Sequence, residues 1–232
     1  MKTIGLIGGM SWESSLVYYR MINETAKAKL GGLHSAKCLM YSVDFHEIEV
    51  LQRQNNWEEL TDMMIQIAQN LKQGGADFIV ICTNTMHKMA NDLESKAGIK
   101  VLHIADVTGE KIVAKGLKTV GLLGTKFTME GDFYKQVLKD KHNIDVVIPD
   151  EEDRELVHEV IYKELCQGII SNKSKESFVK IIDNLALKGA EGVVLGCTEI
   201  PLLIKQEDVT MPVFDTTTIH AVSALEYALD MK

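Results

Sequence analysis

Proline and tryptophan are scarce, with three and two residues in a chain of 232. So few prolines exclude a stiff Pro-rich spacer between domains. The four cysteines, Cys38, Cys82, Cys166 and Cys197, contain no CxxC pair. Neither a disulfide scaffold nor a zinc knuckle is expected, and four separate thiols suit a reducing cytoplasm. No apolar run reaches the 18 or so residues of a membrane span. The stretch Met1–Gly9 is too short and glycine-broken to be a secretory core. Basic residues are outnumbered, 25 Lys and Arg against 33 Asp and Glu, for a net charge of −8. That balance excludes a charge-driven grip on nucleic acid or an anionic membrane. The seven histidines form no HxxxH or HExxH pair, so no metal is expected.

What is present is alternation. Short apolar, β-branched runs at 2–7, 37–43, 78–82, 119–123, 145–148, 192–195 and 212–214 predict strands buried on both faces of a parallel sheet. Helix-period segments lie between them. In Trp57–Gln73, Leu60, Met63, Met64, Ile67, Ala68 and Leu71 mark one face, and Gly74-Gly75 stops the helix. Further helices are predicted over 128–141, 153–167, 174–188 and 217–230. The fold class is therefore α/β with right-handed crossovers between parallel strands.

A weak repeat divides the chain. Gly5-Leu6-Ile7-Gly8-Gly9 parallels Gly121-Leu122-Leu123-Gly124-Thr125, each a strand ending in a glycine turn. Another strand in each half ends in a polar cluster, Cys82-Thr83-Asn84-Thr85 and Gly196-Cys197-Thr198-Glu199. The offsets are 75 positions (Gly8 to Thr83) and 73 (Gly124 to Cys197). Two α/β lobes are expected, 1–105 with 210–232, and 106–209. Ligands of open α/β sheets bind at the carboxyl ends of strands, so a cleft between the lobes is the expected site.

Gly5-x-x-Gly8-Gly9 departs from the GxGxxG spacing of dinucleotide binders. It fits better as a turn whose backbone N–H groups near Ser11 and Trp12 meet a carboxylate. Cys197 follows a buried strand and precedes a short helix. A helix N-terminus there is expected to lower its pKa and make the thiol a usable base. Cys82 continues the earlier strand and is expected to pack inside, with its side chain opposite to that of Thr83. His87, four residues after Thr83, and His103 are candidates for supporting groups or for packed structural histidines.

Taken together, Gly8-Gly9-Met10-Ser11-Trp12, Ser42-Val43-Asp44-Phe45, Cys82-Thr83-Asn84-Thr85-Met86-His87, Gly196-Cys197-Thr198-Glu199 and Phe214-Asp215-Thr216 resemble the aspartate/glutamate racemase family. The resemblance implies two pseudo-symmetric lobes, a last strand and helix that return to the first lobe, and homodimers. It also implies racemisation of aspartate or glutamate without any cofactor. Two family cysteines flank the substrate α-carbon. Here Thr83 stands at the first position and Cys197 at the second, the pattern of a subgroup regarded as specific for L-aspartate and L-glutamate. The resemblance thus implies Cys197 as thiolate base on the L face and Thr83 as proton donor or relay. Atoms on opposite faces of one carbon would lie roughly 6–7 Å apart. Backbone N–H groups at Met10, Asn84, Thr85, Thr198 and Glu199 are candidates for the α-carboxylate, and Glu199 for the ammonium. Gln52 is the candidate for the side-chain carboxylate, with Glu164 at the corresponding place in the second lobe. Two alternatives remain open: a non-catalytic acidic-amino-acid-binding protein, and a dicarboxylate isomerase or decarboxylase of the same superfamily.

Overall fold

The computed structural model describes residues 1–231. The chain forms two compact units, one made of Met1–His103 and the segment from His220 onward, the other of Ile104–Ile219.

The first unit is built on a three-stranded parallel sheet. Its strands are β1 (Ile4–Gly8), β2 (Cys38–Ser42) and β3 (Phe78–Ile81), in the order β2-β1-β3. β1 lies between two neighbours and is buried throughout, which is why it reads as an unbroken apolar run. The helices are α1 (Trp12–Leu30), α2 (Phe45–Arg53), α3 (Trp57–Gln73) and α4 (Ala90–Ala97), with a 3₁₀ turn at Thr85–Met89. α3 has the predicted limits. It buries Leu60, Met64, Ile67, Ala68 and Leu71 against Ile7, Ile79 and Ile81 of the sheet. Each of the Leu, Ile and Met side chains contributes about 1.5–3 kcal/mol when fully buried.

The second unit has four parallel strands in the order β5-β4-β6-β7: β4 (Thr119–Gly124), β5 (Asp145–Val147), β6 (Gly192–Gly196) and β7 (Val213–Asp215). Its helices are α5 (Ile104–Ala114), α6 (Lys126–Glu130), α7 (Asp132–His142), α8 (Glu151–Lys163), α9 (Asn172–Leu187) and α10 (Ile200–Leu203). α11 (Thr216–Ala228) starts here and carries the chain into the first unit. Among the described residues no helix is long and apolar enough to cross a membrane.

Two sequence expectations need correction. The last strand was expected with the first lobe, within 210–232. β7 instead pairs with β6, with Val193 opposite Val213 and Leu195 opposite Asp215. Phe214 buries into the core around Ile104, Val120 and Val194, and Gln206 Oε1 accepts from Val213 N–H at 3.0 Å. The chain joins the first unit only from His220. Second, the helix expected over 128–141 is two helices. Gly131 adopts an extended conformation (φ −65°, ψ 143°) between α6 and α7.

Candidate active site

In the first unit, polar groups gather at the carboxyl ends of β1 and β3. The chain leaves β1 through Gly9, whose φ of +94° and close approach to Val43 leave no room for a Cβ. The Gly9 N–H donates to Ser15 Oγ at 2.7 Å, and the Val43 N–H donates to the Gly8 carbonyl at 3.0 Å. Ser11 caps α1, its Oγ accepting from Ser14 N–H. The Met10 side chain packs into the core, so only its backbone is placed to meet a ligand.

At the end of β3 the Cys82 N–H still donates to the Ile7 carbonyl at 2.9 Å, extending the ladder by one residue. Cys82 is buried, and burial followed by the nearby Cys38 pushes its thiol far up. Thr83 is the next residue and is only half-buried. The chain then turns at Asn84 and Thr85, both buried, and the Asn84 carbonyl accepts from His87 N–H at 3.0 Å. Gln52, on α2, is buried as well. Its Nε2 donates to Met86 Sδ at 3.3 Å, a weak acceptor for a buried amide. Gln52 is thereby placed against the turn that follows Thr83.

In the second unit the site candidates follow β6. Cys197 is 8% exposed, and its Sγ–H donates to Glu199 Oε2 at 3.0 Å. Thr198 Oγ1–H donates to the same oxygen at 2.7 Å. The expectation of an acidified thiol is overturned. Burial raises the Cys197 pKa well above the ordinary thiol range, and the Glu199 charge and Cys166 add to it. The Glu199 backbone N–H opposes this more weakly. α10 is only four residues long, and an acid group two positions from the thiol outweighs it. The resting thiol therefore keeps its proton.

Glu164 ends α8. Its Oε2 accepts from Ser174 Oγ–H at 2.6 Å, tying it to the first turn of α9. The structure thus groups Thr83, Asn84, Thr85 and Gln52 in the first unit, and Cys197, Thr198 and Glu199 in the second. Sequence reading missed Ser15, which holds the glycine turn, and Met86, which receives the Gln52 amide. Ser15 lies one turn beyond the Gly8–Trp12 motif, and Met86 lies inside the Cys82–His87 motif, where no role was read for it.

A family model described as Asp/Glu/hydantoin racemase matches residues 7–224. A solved structure of a candidate Asp/Glu racemase from Yersinia pestis is 53% identical. It covers 99% of this chain and 100% of that one, with a TM-score of 0.93. An aspartate racemase homologue from Pyrococcus horikoshii is 37% identical over 99% and 100% of the two chains, with a TM-score of 0.85. The broad-specificity amino-acid racemase RacX of Bacillus subtilis is 23% identical over 175 residues, 72% of each chain. With two parallel α/β sheets, the motifs at their strand ends and a family match over nearly its whole length, the chain belongs to the Asp/Glu/hydantoin racemase family.

Proposed function

We propose that this protein racemises aspartate or glutamate without a cofactor, by removing the α-proton on one face and returning a proton on the other. The observation that carries the reading is the Cys197–Glu199 pair at the end of β6, a thiol already donating to a carboxylate at 3.0 Å. On substrate binding the ammonium group approaches Glu199. The ammonium offsets the Glu199 charge that holds the thiol pKa up, and the thiol proton leaves through Glu199 to solvent, so a thiolate forms and the proton later drawn from water through Thr83 closes the cycle. The thiolate takes the α-proton from the L isomer and becomes a thiol again. Backbone N–H groups of the strand-end loops hold the α-carboxylate, whose developing negative charge they stabilise. Thr83 then delivers a proton to the opposite face, relaying it from water, because its hydroxyl is too weak an acid to give one up unaided.

Gln52 is the donor for the side-chain carboxylate. A neutral amide accepts either chain length, and a carboxylate is a far better acceptor than the Met86 thioether it now meets. Glu164 stands in the second unit as the remaining candidate contact. The same reading takes the enzyme as a cytoplasmic homodimer. The alternative of a non-catalytic amino-acid-binding protein draws on one observation, the burial of the Cys197 thiol against the Glu199 carboxylate, which disfavours the thiolate.

Racemisation separates the two. L-Asp and L-Glu incubated with the protein lose circular dichroism with time if the reading is correct, and both isomers end at equal concentration. Binding by calorimetry with no loss of optical activity favours the alternative. Since the equilibrium constant is 1, kcat/KM is the same in both directions, and any asymmetry between Cys197 and Thr83 shows as kcat and KM changing together.

A further inference from the structure

Thr83 is the first residue beyond the β1–β3 ladder, so strand pairing does not set its direction. A second anchor is present. His87 lies on the 3₁₀ turn Thr85–Met89, is 2% exposed, and has Nδ1 2.8 Å from the Thr83 carbonyl oxygen. A carbonyl only accepts, so Nδ1 carries the proton. Nε2 is buried without a hydrogen-bond partner. Burial and the neighbouring His103 hold the ring well below the usual histidine pKa, against the opposing pull of the Thr83, Asn84 and Leu102 backbone. The ring is also clamped. It lies 4.8 Å from the His103 ring and 5.4 Å, edge-on, from the His220 ring. His220 is itself fixed at both nitrogens: Nε2–H donates to the Leu102 carbonyl at 2.8 Å, and Nδ1 accepts from Tyr18 O–H at 2.9 Å. No three His, Cys, Asp or Glu side chains among the described residues form a group able to hold a metal ion.

A buried imidazole with a bare Nε2 carries a desolvation cost that a leucine of similar volume would avoid. What histidine adds here is one directed bond to the Thr83 backbone. We propose that His87 is a positioning residue, whose Nδ1–H fixes the Thr83 carbonyl and so aims the Thr83 hydroxyl at the face where the proton is returned. This rests on the racemase reading above, with Cys197 and Thr83 on opposite faces.

The two faces are read separately in D₂O. Starting from L-Asp and the full chain, deuteration of recovered L-Asp requires only removal and return by Cys197, whose thiol exchanges with solvent. Formation of D-Asp requires delivery from the Thr83 side. In His87→Leu, inversion falls about 10-fold or more while deuteration with retention stays within about 3-fold of wild type, since small misplacement of a reacting group costs that much. His87→Asn puts an amide N–H near the Nδ1 position and recovers inversion. His87→Gln, whose donor falls near the Nε2 position, does not, so this pair decides the matter even if the leucine variant fails to fold. In a Thr83→Ala background the His87 changes leave the ratio of inversion to retention unmoved. Parallel loss of retention and inversion, or equal behaviour of the Asn and Gln variants, overturns the positioning role. Absence of any exchange by wild type overturns the racemase reading and this inference with it.

Discussion

The Cys197 thiol donates a hydrogen bond to Glu199, and the two roles proposed for Glu199 predict effects of opposite sign. Its charge holds the thiol pKa up, so Glu199→Gln lowers that pKa. As acceptor of the thiol proton it drives abstraction, so the same change lowers the racemisation rate, by about 10²-fold for a lost acid–base group. Thiolate absorbance near 240 nm, titrated against a Cys197→Ala baseline, checks the first. Circular dichroism of the substrate checks the second. A variant with a lower thiol pKa and faster turnover would leave Glu199 as a brake only. The candidacy of Cys197 was legible in the sequence, because a Gly-Cys-Thr-Glu cluster ends an apolar run. Its protonation state was not. That depends on the Glu199 side chain returning to the thiol two residues before it, a direction no spacing rule specifies.

Among the elements, the strand-end turns are the most sensitive parts. Gly9→Ala forces a side chain into φ +94° and within 2.3 Å of the Val43 carbonyl oxygen. Left-handed strain and the backbone clash together cost about 2–4 kcal/mol, measurable as a lower urea midpoint with an unchanged slope. Little loss would mean that the β1–α1 turn can rearrange freely. The central strands β1, β3 and β6 and helix α3 were readable from sequence because burial and period agree there, whereas the edge strands β2 and β5 are half-buried to exposed and not buried on both faces as expected. The break at Gly131 was not readable, because a single glycine within a helical pattern is tolerated at a cost of only about 1 kcal/mol. The pairing of β7 was missed for a related reason. Three residues carry too little pattern to name a partner, and Phe214 is drawn to the second core by contacts distant in the chain.

At the scale of the whole molecule, buried titratable groups bound the pH range of stability. Burial and the neighbouring His87 lower the pKa of His220 to about 3, and His87 is held down by burial and His103. The unfolded chain protonates both below its ordinary value of about 6.5 while the folded chain does not, so stability is lost as pH falls from there. Cys82 and Cys197 act at the other end. Their folded pKa values are raised, so their contribution is present below about 8.5–9 and is lost as pH rises beyond it. Each group contributes a slope of up to about 1.4 kcal/mol per pH unit. Urea unfolding should show a plateau between roughly pH 6.5 and 8.5, and stability about 2–4 kcal/mol lower at pH 5. A flat profile down to pH 5 would mean that the buried histidines become charged at little cost. The net charge of −8 is compatible with the proposed acidic substrate because backbone N–H groups, rather than a basic surface, are the donors proposed for it. The most direct test of catalysis is α-proton loss from L-Asp and L-Glu in D₂O, followed by proton NMR, for wild type and Cys197→Ala. The wild type should exchange the α-proton of at least one of them, and Cys197→Ala should lose that exchange. Exchange that survives in Cys197→Ala would contradict the role of the thiol.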